Sequence, residues 1–131
     1  MASYRTPLSR ARGLGSAKHG VEHWIAERVS SIALAPLSLW AVWAVLKVAP
    51  QGYEGAMSFV GEPVNAVLAL LFLTVSFHHM KIGLQVVIED YIHKPASKFA
   101  LLLLNGGVCW IGWALASFSI LKAALSGGGV F

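Results

Sequence analysis

Three long apolar stretches, separated by short polar ones, dominate the chain. The first runs from Val29 to Leu46, 18 residues between Arg28 and Lys47 without a charge. At 1.5 Å per residue it spans about 27 Å as a helix, close to the hydrocarbon thickness of a bilayer. The second, Val64 to Met80, has 17 uncharged residues, and its helical pattern continues past Lys81 to Glu89. The third, Phe99 to Leu121, has 23 uncharged residues between Lys98 and Lys122. The pattern predicts an all-α membrane protein with three transmembrane helices over about residues 24–48, 63–90 and 98–123, in one anchor domain covering 1–131, with a polar tail at 1–20. Pro36 falls inside the first helix, where a membrane span tolerates a local kink. The segment Ala49 to Pro63 holds Pro50, Gly52, Gly55, Gly61 and Pro63 and reads as a turn-rich link, while Ile92 to Ser97, with Pro95, reads as a short one. Trp40 and Trp43 are expected in an interfacial aromatic belt, and Asn105, Gly106, Gly107 and Gly112 in close helix packing.

Composition strengthens this reading. Of 131 residues 56% are hydrophobic and 12% charged, about half the charge of an ordinary soluble domain. Mean hydropathy is +0.66, too high for a chain this small to hide its apolar surface in a soluble core. Disorder and a nucleic-acid partner are excluded by the same figures. A lone Cys109 rules out an internal disulfide, an iron–sulfur cluster of its own and C-x-x-C-H haem attachment.

The position of the charge says more than its net value of +4. Arg5, Arg10, Arg12, Lys18 and Arg28 precede the first span, and only Lys47 lies in the link that follows it. Lys81, Lys94 and Lys98 surround the second link, and Lys122 alone follows the third span. The positive-inside rule then predicts a cytoplasmic N-terminus and a periplasmic C-terminus. The Arg- and Ser-rich, acid-free start also looks like an organellar transit peptide, but reads better as a retained tail.

A few residues do not suit lipid. His78 and His79 interrupt the second span, and ionisable groups at such depth face a bundle interior and mark a site. Two adjacent histidines point about 100° apart, so one metal or porphyrin uses only one of them. Gly83 lies one turn beyond His79 on the same side, leaving room for a flat macrocycle against the backbone. His79 is therefore the better ligand, and His78 a packing residue. No second histidine lies at matching depth, since His19 and His23 precede the first span and His93 follows the second. The other axial ligand must come from another chain. Asp90 and Tyr91 end the second span, and Arg28 opens the first, after His23 and Trp24. Singly, they read as interface anchors and a snorkelling side chain. Together they are expected at one depth below His79, suited to a polar head group or to haem propionates.

The run His79-Met80-Lys81-Ile82-Gly83-Leu84-Gln85, then Asp90-Tyr91, resembles the second-helix signature of the small hydrophobic membrane anchor subunits of succinate dehydrogenase. Gly20 to Arg28 is similar to that family's first-helix entrance, and the three-helix layout extends the likeness over essentially the whole chain. The resemblance implies that His79 is one axial ligand to the iron of a b-type haem (haem b), the other coming from a partner cytochrome b anchor subunit. It implies that Tyr91 donates a hydrogen bond to ubiquinone, that Asp90 supports that site, and that Arg28 lies near the haem propionates or the quinone. Succinate is then oxidised elsewhere, by a flavoprotein subunit that feeds an iron–sulfur subunit. The implied setting is the inner membrane of a bacterial cell, multi-pass among lipids, rather than a mitochondrion. A fumarate reductase anchor using menaquinone, a non-catalytic structural or assembly protein and a histidine-lined transporter are the rival readings. The transporter is weakened by the lack of an inverted repeat.

Overall fold

The computed structural model of the chain describes residues 6–13 and 20–126. Arg5, Lys18, His19 and the glycine-rich end beyond Ser126 lie outside them. Among the described residues five α-helices follow in order: α1 (Pro7–Ala11), α2 (Gly20–Val48), α3 (Gly52–Gly61), α4 (Pro63–Tyr91) and α5 (Pro95–Ser126). Three segments among the described residues are long and apolar enough to cross a membrane: α4, α5, and the run from Val21 to Gly61 that contains most of α2.

Prolines mark where helices start. Pro63 and Pro95 occupy the first positions of α4 and α5, where a missing N–H costs nothing and the fixed φ suits the helix. Pro95 thus begins a helix, and the expected link before it shrinks to Ile92–Lys94. The Lys98 ammonium donates to the Glu89 carbonyl at 2.8 Å, satisfying a group in the last turn of α4 and tying the two helix ends together. Pro36 leaves α2 continuous.

The segment 49–63 is not the turn-rich link its composition predicts. A 3-10 turn, Ala49–Gln51, leads into α3, and Gly52, at φ +65°, makes the corner between them. Helix α3 then folds back onto α2. Phe59 stacks on Trp40 at 6.3 Å between ring centroids and tilts against Trp43 at 6.1 Å, and the Lys47 ammonium lies 5.0 Å from the centroid of the Trp43 ring. The two tryptophans expected as membrane anchors therefore hold α3 in place.

Helix α4 is the centre of the bundle. It packs against α5 on one side and α2 on the other, and α2 and α5 do not pack directly on each other among the described residues. Polar pins set the α4–α5 register. The Asn105 amide donates to the Lys81 carbonyl at 2.9 Å, and the Trp113 indole donates to the Thr74 hydroxyl at 3.0 Å. At Gly112 a Cβ would come within 2.8 Å of the Phe77 ring, so this glycine alone of the three expected in close packing is pressed against α4. Gly106 and Gly107 face open space within the chain. Gly112→Ala should overpack this contact by about 1–3 kcal/mol and lower the melting temperature of the purified protein. Adding Phe77→Leu should recover part of that loss in the same thermal scan.

The layered arrangement leaves little interior. Ala44, Ala66, Ile82 and Cys109 are the buried apolar residues among those described, with Ser30 and Asn105 the buried polar ones. Accessible surface is 9821 Å², against about 6,700 Å² for a folded soluble protein of this mass. Its flanks carry Val29, Ile32, Leu39, Leu103 and Leu104 at 60% exposure or more, a surface made for lipid or another apolar chain.

Candidate functional site

The pairing of α2 with α4 brings the first candidate site together. Ser30 is the second residue of the apolar part of α2, 5% exposed, and its Oγ sits 3.0 Å from Nδ1 of His79. The same Oγ donates to the Glu27 carbonyl at 3.0 Å, as Ser31 does at 2.8 Å. His79 is half-buried, and no hydrogen bond within the described residues engages its Nε2. Gly83, one turn further along α4, would meet nothing within 4 Å if it carried a Cβ. The arrangement is an imidazole held by one nitrogen, its other nitrogen open, beside bare backbone.

His78 lies on a different side. It lines a cavity of about 220 Å³ between α4 and α5, with Thr74, Phe77, Lys81, Cys109 and Trp110 around it. A second cavity, about 380 Å³, is apolar and lies between α2, α3 and α4 near Trp40 and Phe59. Neither is lined by His79, which is half-buried. Among the described residues no three His, Cys, Asp or Glu side chains gather into a metal cage. An isolated imidazole with a bare backbone patch fits an axial ligand to a porphyrin, which brings four nitrogens of its own.

The Ser30–His79 contact also fixes depth. Arg28 is two residues from Ser30, about 3 Å along the axis and about 160° around the helix. Its guanidinium lies 5.6 Å from the centroid of the Trp24 ring and is exposed. Asp90 and Tyr91 end α4 about 18 Å below His79, both exposed, Tyr91 by 77%. Arg28 is therefore near the level of His79, and the expected gathering of Arg28 with Asp90 and Tyr91 at one depth does not occur. The error has a simple cause: both ends of a span look alike in sequence, but the register between antiparallel helices is set by packing. His23, two turns below Ser30 on the same face of α2, has a buried Nε2 without a hydrogen-bond partner among the described residues. Ser30 itself went unnoticed in the sequence, because a hydroxyl in an apolar block reads as filler.

Comparison with known proteins decides the family. The family described as Succinate dehydrogenase/Fumarate reductase transmembrane subunit matches residues 2–121. The chain belongs to this family. Its relatives are named succinate dehydrogenase hydrophobic membrane anchor subunits. One from Rickettsia bellii is 34% identical over 76% of this chain and 80% of its own length. One from Paracoccus denitrificans is 30% identical over 95% of this chain and 93% of its own. A succinate dehydrogenase membrane anchor subunit from Reclinomonas americana is 29% identical over 66% of this chain and 75% of its own. No solved structure matches significantly. The chain is thus a multi-pass membrane anchor subunit of succinate dehydrogenase, and its three apolar segments are that anchor.

Proposed function

We propose that this anchor supplies one axial ligand of a b-type haem through His79 Nε2 and forms part of the ubiquinone-reducing site through Tyr91. The observation that carries the reading is the state of His79: Nδ1 engaged by Ser30, Nε2 open, and bare backbone at Gly83. The second imidazole comes from a partner cytochrome b anchor subunit. A haem held by two imidazoles supplies a one-electron reservoir without an open coordination position. Arg28 lies near the level of His79 on another face of α2, and in this reading it would meet the haem propionates.

Tyr91 and Asp90 end α4 at the face where the iron–sulfur subunit docks, with the flavoprotein subunit beyond it. The Tyr91 phenol donates to a quinone carbonyl, and Asp90 organises the polar surroundings. The distribution of Lys and Arg puts this face in the cytoplasm and the C-terminus in the periplasm of a bacterial inner membrane. The relatives, all named for succinate dehydrogenase, favour succinate oxidation over the fumarate-reducing, menaquinone-using alternative.

Anchoring has its own test. Deleting the chain should leave dye-linked succinate oxidation active but move it from the membrane to the soluble fraction, with succinate–quinone reduction lost. Activity that stays in the membrane would contradict the anchoring role.

A further inference from the structure

We infer that Ser30 is a positioning residue that fixes which nitrogen of His79 is free. The inference rests on the reading of His79 as a haem ligand and deepens it. A serine hydroxyl carries one proton. At Ser30 the short local acceptor is the Glu27 carbonyl, 3.0 Å away, and donation there closes a bond along the helix. The lone pairs of Oγ then face Nδ1 of His79, also at 3.0 Å, and an acceptor at that place requires a hydrogen on Nδ1. A neutral imidazole protonated at Nδ1 has its lone pair on Nε2, the atom that no hydrogen bond among the described residues engages. The chain Glu27 carbonyl, Ser30 hydroxyl, His79 ring thus selects the ligating tautomer and holds the ring plane before any iron arrives.

The burial of Ser30 supports a dedicated role. At 5% exposure it is more buried than any apolar residue described in α2, and its neighbour Ser31 makes the same helix bond without touching His79. A group needed only to satisfy the helix has no reason to be the one at the α2–α4 contact. The bond also has an electronic consequence: an acceptor on Nδ1–H makes the imidazole a stronger donor and favours ferric iron.

The test uses the whole purified complex carrying Ser30→Ala, Ser30→Thr or His79→Leu, with redox potentiometry and low-temperature electron paramagnetic resonance of the ferric haem. Ser30→Ala should shift the haem midpoint upward, raising the ferrous-to-ferric ratio at a fixed potential several-fold, where tenfold corresponds to about 59 mV. It should also move the low-spin g values, and Ser30→Thr should restore both. Loss of haem in Ser30→Ala with recovery in Ser30→Thr would count equally for the positioning role. A midpoint and spectrum unchanged in Ser30→Ala, or equal changes in the alanine and threonine variants, would overturn it. Haem retained in His79→Leu would instead overturn the ligand assignment beneath it.

Discussion

Replacing His79 with leucine removes the haem: the b-type absorption of the purified complex falls by at least about tenfold, while His78→Leu keeps it. The two residues are adjacent in sequence yet open on different surroundings. His79 meets Ser30 of α2 and leaves Nε2 unengaged, whereas His78 lines the cavity between α4 and α5 with Trp110 and Lys81. Among the described residues no three His, Cys, Asp or Glu side chains gather into a site that could replace a ligand supplied by a single imidazole. Leucine keeps the volume roughly and adds no charge, so α2 and α4 should still pack. Subunit composition on a native gel checks that the complex assembles. The reverse pattern, with haem lost in His78→Leu and kept in His79→Leu, would exchange the two roles.

Tyr91→Phe slows succinate–quinone reduction by about 10²-fold and leaves dye-linked succinate oxidation unchanged. The magnitude follows from the loss of one hydrogen-bond donor to an oxygen that gains negative charge as the quinone is reduced. Such a donor is worth more to the reduced species than to the neutral quinone, so kcat falls more than KM rises. Tyr91 is 77% exposed on this chain, so a pocket that makes its hydroxyl effective would have to be completed by docked subunits. It lies about 18 Å along α4 from His79, and the haem spectrum should therefore be untouched. Parallel assays with quinone and with a dye acceptor, plus the difference spectrum, separate these outcomes. Quinone reduction at the native rate would remove Tyr91 from the site.

The sequence was most legible where one physical demand governs a long stretch. Runs of 17 to 23 uncharged residues have few fates other than a membrane span, and Pro63 opens α4 where the pattern starts it, whereas Pro95, read as part of a link, opens α5. Helix α3 was illegible because its ten residues carry three glycines, at 52, 55 and 61, and follow Pro50, so local composition argues for turns while packing on Trp40 and Trp43 argues for a helix. The site was legible in part. His79 and Gly83 share a helix face, and helical periodicity alone relates them. Ser30 and His79 lie 49 residues apart, and nothing local announces that they meet. Arg28 was misplaced for the same reason: its depth relative to Tyr91 depends on how α2 slides against α4. Contacts within one helix can be counted along the chain; those between helices depend on packing.

We propose that this chain forms half of a haem site whose other half lies on a partner. This is tested most directly by a reduced-minus-oxidised spectrum of the complex purified through this chain, recorded with and without carbon monoxide. One b-type haem per copy of this chain is expected, low-spin and unaffected by carbon monoxide if imidazole holds both axial positions. A complex free of haem, or a haem that binds carbon monoxide at an open position, would contradict it.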